Sequence, residues 1–348
     1  MQNLTFSDQI IRWYRAFKRD LPWRQTNDPY RIWISEIILQ QTRVDQGMDY
    51  YHRLLDAFPN VIALANANQD QVLKLWQGLG YYSRARNLHS TAQLVANQLD
   101  GVFPDNYKGL LALKGVGPYT AAAIASFCYQ ERVAVVDGNV ERVLARYFGI
   151  QDPVDATNTK KVLQALAQDQ LSTSQPAEHN QAIMEFGALQ CTPKQPLCDQ
   201  CPLRTSCFAL RENKVADLPF KAKKTKVLDW AIDYFVLTDG KRMLFRKRTE
   251  QGIWRNLHDF FSFESAQLLE RAALKKEIGR YGQLLESSDT ILHLLSHRKL
   301  SIRFHRIKVS SFPKIPNGVL VDIAKCDELA VPKPISDFLS QWQNVKTS

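Results

Sequence analysis

Apolar side chains recur at three- and four-residue intervals along the first part of the chain. Leu4, Phe6, Ile10, Ile11, Trp13, Tyr14 and Phe17 fall on one stripe of a helix, and similar stripes run through residues 54–58, 72–76, 88–99 and 162–166. Pro22, Pro29, Pro59, Pro104 and Pro153 interrupt them, which is the punctuation of many short helices rather than of a sheet. Residues 1–210 therefore read as an all-α domain. The polar, lysine-rich stretch R-E-N-K-V-A-D-L-P-F-K-A-K-K-T-K at 211–226 reads as a linker. Beyond it the period changes. Residues 227–238 and 241–248 are rich in Val, Leu, Phe and Tyr around Asp239-Gly240, a hairpin signal. A charged helical stretch near 265–278 precedes strand-like runs at 290–295 and 301–309, so residues 227–348 read as a mixed α/β domain.

At 348 residues the chain can hold two or three domains, each with its own core. A formal charge of +10 and a pI near 9.2 point to a polyanionic partner, with nucleic acid first among the candidates. No secretory signal and no apolar stretch near membrane-spanning length is present. A reducing cytoplasm is the expected compartment, and a membrane is not an expected partner.

That compartment matters for the cysteines. Cys191, Cys198, Cys201 and Cys207 lie within seventeen residues in the spacing C-x6-C-x2-C-x5-C, whereas Cys128 and Cys326 stand alone in apolar runs. Four thiolates so close in a reducing environment point to metal coordination rather than disulfides. They satisfy either tetrahedral zinc or a cubane iron–sulfur cluster. Only Cys198 and Cys201 have the short knuckle spacing of zinc ribbons, and the longer arms form a loop suited to a larger object. All-sulfur ligation leaves no open position, so the site reads as a structural clasp.

The segment L-K-G-V-G-P-Y-T-A-A-A-I-A from Leu113 sets Gly115 and Gly117 in a tight turn, with Pro118 suited to the first position of the next helix. Backbone N–H groups at such a helix start can seat a phosphate, although a plain cap and turn would look the same. Two acids also stand out. Glu36 is surrounded by Ile32, Trp33, Ile34, Ile37, Ile38 and Leu39, which leave no broad polar face. Desolvation there would raise its pKa toward that of a general acid, the alternative being a narrow solvated strip. Asp137 follows the apolar run V-A-V-V and opens D-G-N before a helix, the position of an N-cap. An ionised carboxylate beside a protonated one is also the pairing that glycosidic bond cleavage uses.

The glycine hairpin, the V-D-G-N-V-E-R-V-L-A-R segment around Asp137 and the cysteine loop together resemble the helix-hairpin-helix superfamily of DNA glycosylases, in its [4Fe–4S] branch. Within that branch, S-E-I-I-L-Q-Q-T-R-V from Ser35, G-L-G-Y-Y-S-R-A-R-N-L from Gly78 and H-N-Q-A-I-M-E-F-G-A-L-Q-C from His179 are similar to the MutY-type adenine DNA glycosylases. The resemblance implies an all-α glycosylase domain over 1–210, with one lobe at 20–130 and a cluster lobe formed by 1–19 and 131–210. It implies a C-terminal α/β MutT-like (Nudix-fold) domain at 227–348. The implied activity is monofunctional base excision: removal of adenine mispaired with 8-oxoguanine or guanine from double-stranded DNA, by a monomer working at the nucleoid.

Residue by residue, the resemblance implies that Glu36 protonates adenine and Asp137 steadies the sugar cation, with Tyr119 and Asn139 supporting them. Arg24 and Gln181 match base-pocket positions, and Gln41 and Tyr81 match residues that wedge into the base stack. Thr42, Leu79, Gly115 and Gly117 fall in the same DNA-contacting motifs, and Cys191, Cys198, Cys201 and Cys207 match the cluster ligands. Endonuclease III-type relatives carry a lysine where Tyr119 stands and form a Schiff base with the sugar. Lys114 does not occupy that slot, so lyase activity is not expected. A non-catalytic DNA-binding protein on the same scaffold would have no need of the two acids.

In the C-terminal half the match rests on the Asp239-Gly240 hairpin, G-I-W-R-N-L-H-D-F from Gly252 and L-L-S-H-R from Leu294. Ser296 and His297 keep the polar pair expected at 8-oxoguanine. Arg255 stands where the family has glycine, His258 where it has tryptophan and Leu295 where it has an aromatic. Residues 264–281 lack the R-E-x-x-E-E constellation of pyrophosphohydrolases, so nucleotide hydrolysis is not expected.

Overall fold

A computed structural model describes residues 4–222 and 227–346. The chain forms two compact units, Met1–Asn66 with Asn87–Lys224, and Ala67–Arg86 with Thr225–Ser348. The first unit is helical: α1 (Phe6–Phe17), α2 (Pro29–Leu39), α3 (Val44–Ala57) and α4 (Val61–Asn66) come first, while α5 (Gln69–Leu75) falls in the second unit. Then follow α6 (Ser83–Gln98), whose first turn also belongs to the second unit, α7 (Tyr107–Leu111), α8 (Pro118–Tyr129), α9 (Gly138–Phe148), α10 (Thr157–Gln170), α11 (Pro176–Leu189) and α12 (Phe208–Arg211).

Local chemistry accounts for these boundaries. A capping box starts α1, in which the Asp8 N–H donates to Thr5 Oγ1 and the Thr5 N–H to Asp8 Oδ2, each at 3.1 Å. Ile10, Ile11, Trp13 and Tyr14 then bury against Val140, Leu144, Leu163, Ile183 and Phe186 of α9, α10 and α11. The ends of the stripe, Leu4 and Phe17, stay exposed. Helices α2 and α8 are buried almost all round, and the alanines of α8 (Ala121, Ala122, Ala123, Ala125) let the two pack closely. Gly117 caps α8 with Pro118 at its first position, as the sequence predicts, and Gly115 supplies the left-handed turn at φ 79°.

The V-A-V-V run before Asp137 forms no strand. Its backbone groups are satisfied by side chains: Asn180 accepts from Val135 N at 3.1 Å and donates to Val133 O at 2.9 Å, while Gln168 and Gln164 serve Ala134. Within the expected linker 211–226, residues 212–222 are held on the helical unit and 223–226 lie outside the described residues. Arg146 donates to Leu218 O, Val154 N to Phe220 O, and Ala222 N to Asp155 Oδ1. A buried guanidinium needs such acceptors, which composition does not reveal.

The second unit carries β1 (Leu228–Thr238), β2 (Arg242–Lys247), β3 (His258–Ser265), α13 (Arg271–Gly279), β4 (Gln283–Ser287), β5 (Ile291–Leu294), β6 (Arg298–Lys308), β7 (Gly318–Asp322) and α14 (Lys333–Lys346). The sheet order is β4-β6-β1-β3-β2-β7, with β5 also paired to β6. The Asp239-Gly240 turn is present, but β1 and β2 meet only at Thr238↔Met243. Strand β3 inserts between them, and β1 runs parallel to β6 along its whole length. An eleven-residue strand buried along most of its length needs full-length neighbours, which six-residue β2 cannot supply. Helix α13 lies on the face of Phe235, Leu237 and Ile307, and α14 covers the other face, stacking Phe338 on Phe304 at 4.3 Å. No helix among the described residues is long and apolar enough to cross a membrane.

Asn180 is 1 % exposed and replaces a missing strand, so Asn180→Ala strands two buried backbone groups. We expect a loss of about 2–4 kcal/mol in the stability of the helical unit, read as a lower urea midpoint by far-UV circular dichroism.

Candidate active site

A cavity of about 410 Å³ opens in the helical unit and collects side chains from separate parts of the chain. Glu36 comes from α2, Tyr119 from the first turn of α8, Asp137 and Asn139 from the start of α9, and Gln181 from α11. Arg24 and Thr42 enter from the loops flanking α2. Seven residues singled out from sequence thus line one space, together with the apolar Ile32, Leu39 and Phe127.

Glu36 is 6 % exposed. Burial pushes its carboxyl up to about 7, against the hydrogen bond from Tyr119, while the neighbouring Asp137 adds to the rise and Arg24 opposes it. The solvated-strip alternative is therefore excluded by geometry. Asp137 caps α9 and holds three donors: Asn139 N and Val140 N on Oδ1 at 2.9 and 2.8 Å, and Asn139 Nδ2 on Oδ2 at 2.8 Å. Burial moves its pKa upward, and these donors with Arg142 pull it back toward the anion. Asn139 is itself oriented by Arg142, whose guanidinium donates to Asn139 Oδ1 at 2.8 Å and to Gly187 O at 2.6 Å. Gly187 is required here, because a Cβ would stand 2.7 Å from that of Asn139.

Gln181 Oε1 accepts from Tyr14 Oη at 2.7 Å, which leaves its amide nitrogen for the cavity. Arg24 is drawn to Glu185 at 2.7 Å, and Arg19 reaches the same carboxylate with Nε and Nη2 at 2.8 and 2.6 Å. Glu185 is 1 % exposed, and despite burial these arginines hold its carboxyl down at about 2. Sequence reasoning missed Glu185 and Arg19. The first lies inside the H-N-Q-A-I-M-E-F-G run, where its flanking Met184 and Phe186 were the only hint of burial.

The other expected positions lie outside this cavity. Gln41 follows α2 with its backbone left-handed at φ 61°, and Tyr81 in the second unit is left-handed at φ 46° and exposed. A non-glycine residue held there is strained, which is frequent at functional loops. Leu79 is buried beside Tyr81 in sequence. Gly115 abuts Asn87, whereas a Cβ on Gly117 would meet nothing within 4 Å, so that face of the hairpin is open. Ser296 and His297 are exposed at the β5–β6 turn, with Oγ and Nδ1 at 3.2 Å.

Cys191, Cys198, Cys201 and Cys207 line one common space with Arg146, Arg204 and Leu197. Arg146 donates to Cys191 Sγ at 3.4 Å and the Cys207 thiol to Arg146 O at 3.6 Å. Among the described residues no three metal-type side chains converge on a single-ion position. An all-sulfur set facing a shared space, with a guanidinium on one sulfur, fits a thiolate-bound metal group.

Residues 34–169 match the HhH-GPD superfamily of base excision DNA repair proteins, and residues 233–341 match the NUDIX domain. The chain is 33 % identical to the adenine DNA glycosylase of Buchnera aphidicola subsp. Schizaphis graminum over 96 % of its own length and 97 % of the relative's. It is 36 % identical to that of Buchnera aphidicola subsp. Baizongia pistaciae over 100 % and 99 %. The chain belongs to the adenine DNA glycosylase family. Among solved structures, a thermostable thymine-DNA glycosylase matches 60 % of this chain and 95 % of its own at a TM-score of 0.56 and 30 % identity. A trapped endonuclease III–DNA complex matches 60 % and 94 % at 0.52 and 19 %, a likeness of fold. This member of the family is an N-glycosylase that joins an HhH-GPD helical domain to a C-terminal NUDIX domain, the two fold classes read from sequence.

A carboxyl raised from 4.5 to about 7 makes the folded state lose stability as pH rises through that interval, because the unfolded chain ionises first. Removing the titration by Glu36→Gln should leave the melting temperature unchanged at pH 4 and raise it at pH 8, by about 3 kcal/mol in stability. Thermal unfolding at the two pH values checks this.

Proposed function

We propose that this protein hydrolyses the N-glycosidic bond of adenine mispaired with 8-oxoguanine, or with guanine, in duplex DNA, and leaves an abasic site. The observation that carries the reading is a carboxyl with a pKa pushed up to about 7 sharing one cavity with a second carboxyl group, Asp137, on which three donors converge and oppose the effect of burial. The mispaired nucleotide turns out of the stack into the cavity. Arg24 and the Gln181 amide bind the extruded base. Glu36 donates its proton to adenine N7, so the base leaves as a neutral purine when the C1′–N9 bond breaks. The Asp137 carboxylate steadies the oxocarbenium-like sugar. Water then adds to C1′ and gives its proton to the Glu36 carboxylate, which restores the acid.

Tyr119 supports Glu36 with a hydrogen bond and supplies no amine, so no Schiff base forms and the strand stays intact. Gln41 and Tyr81 enter the base stack at the opened pair. The hairpin at Gly115 and Gly117 takes a backbone phosphate, and Ser296 and His297 contact the oxidised base on the opposite strand. Cys191, Cys198, Cys201 and Cys207 would hold a [4Fe–4S] cluster, which would supply a rigid, charged brace for the loop.

Incubated with an A:8-oxoguanine duplex, the protein should release free adenine and leave DNA that breaks only after alkali. Strand breakage without alkali would favour a lyase, and tight binding with no adenine released a non-catalytic binder. Glu36→Gln should bind this duplex with affinity within about threefold of wild type and lose at least about 10²-fold in single-turnover rate. Retained turnover removes Glu36 from the acid role. Protein purified without oxygen should carry iron and acid-labile sulfide in equal amounts; zinc with no sulfide overturns the cluster assignment.

A further inference from the structure

The loop that bears Leu79 and Tyr81 belongs to the same compact unit as the C-terminal sheet, although the segment Met1–Asn66 of the helical unit precedes it in the chain. Gly78, Gly80 and Tyr81 are all left-handed, at φ 102°, 72° and 46°, so the loop cannot be held by regular backbone pairing. Side chains hold it instead. Trp76 Nε1 donates to Gly80 O at 3.1 Å. Arg84 donates to the carbonyls of Leu79 and Gly80 at 3.3 and 3.4 Å, and its guanidinium lies over the Trp76 and Tyr81 rings.

The segment leading into this loop is fastened to the C-terminal domain at successive points. Asp70 pairs with Lys247 at 2.7 Å, and Gln69 Oε1 accepts from Asn256 at 2.7 Å. Lys74 Nζ donates to Leu329 O at 3.1 Å. Gln77, the residue next to the loop, donates to Ser336 Oγ at 2.8 Å and accepts from Val331 N at 3.3 Å. On the far side Arg86 donates to Arg255 O at 2.9 Å. Trp254, beside that anchor, packs against His293 of β5, the strand that leads into the turn bearing Ser296 and His297. Contacts therefore run from His293 in β5, through 254–256, to Gln69 ahead of the Tyr81 loop and Arg86 after it.

We propose that Gln77 is a positioning residue that locks the Tyr81 loop to the C-terminal domain, so that engagement of the opposite-strand base by the β5–β6 turn sets the pose of the wedge and thereby the excision rate. This rests on the function proposed above. Gln77 touches neither base nor sugar in that scheme. Its bonds to Ser336 and Val331, placed at the one residue separating α5 and Trp76 from the left-handed loop, make it a point where a shift of the sheet domain reaches Tyr81. The Asp70–Lys247 pair fixes the same segment about two turns earlier.

The test is single-turnover adenine excision by the full chain on A:8-oxoguanine and A:G duplexes, with 2-aminopurine beside the mispair reporting unstacking. Gln77→Ala should lower the A:8-oxoguanine rate about tenfold, leave the A:G rate within about twofold, and delay the fluorescence rise only on the oxidised duplex. Asp70→Lys and Lys247→Asp should each shift the ratio the same way, and the double charge exchange should restore it. A wild-type protein with no preference for 8-oxoguanine overturns the underlying reading and the coupling with it. If wild type shows the preference and Gln77→Ala keeps it, or loses equally on both duplexes, the coupling alone is overturned.

Discussion

Burial of the Glu36 carboxyl is the constraint around which the helical unit is arranged. An unpaired anion in that environment costs several kcal/mol, so the group stays protonated to near neutral pH, and every neighbour must tolerate a site that is proton-bearing in one state and charged in another. Tyr119 is the neighbour that serves both states, since a phenol can donate to a carboxylate or accept from a carboxyl. Asp137 faces the same burial with a different answer. Its helix start supplies two backbone N–H groups and Asn139 a third donor, which is the environment that favours an anion.

Helix α9 carries this arrangement outward. Asp137 caps it, Asn139 lies in its first turn, Arg142 in its second and Arg146 in its third. Arg142 spans Asn139 and the carbonyls of Gly187 and Cys191, and Arg146 spans Cys191 Sγ, the carbonyls of Thr192 and Pro193, and Leu218. The cysteine loop, the 212–222 segment and the anion of the cavity are thus fastened to one rigid element through two buried guanidiniums. Each arginine satisfies carbonyls left over where helices end, so the cost of burying its charge is offset by bonds that irregular backbone would otherwise lack.

Glu185 has the converse role. With Arg19 and Arg24 around it, it remains an anion and uses up much of their charge. Without it, two arginines beside the cavity would favour ionisation of Glu36 and weaken the acid. Three of the carboxyl groups that line the cavity thus sit in three settings: Glu36 desolvated, Asp137 capping a helix, Glu185 bracketed by guanidiniums.

Much of this was legible in the chain itself. The period of apolar residues set the helices and the change to strands after 227, Gly115 and Pro118 set the hairpin, and the apolar neighbours of Glu36 pointed to a desolvated acid while a narrow solvated strip stayed open, because these depend on neighbours within one or two turns. Other features depended on partners far along the chain. That β3 would part β1 from β2, that Asn180 would stand in for a strand beside Val133 and Val135, that Glu185 would gather Arg19 and Arg24, and that residues 67–86 would side with the C-terminal sheet could not be read locally. Short-range pattern determines which backbone is helical or extended and which side chains must leave water. Only the tertiary structure decides which polar groups meet once they have left it, because that pairing joins residues far apart in the chain, 45 positions for Asn180 with Val135 and 166 for Glu185 with Arg19.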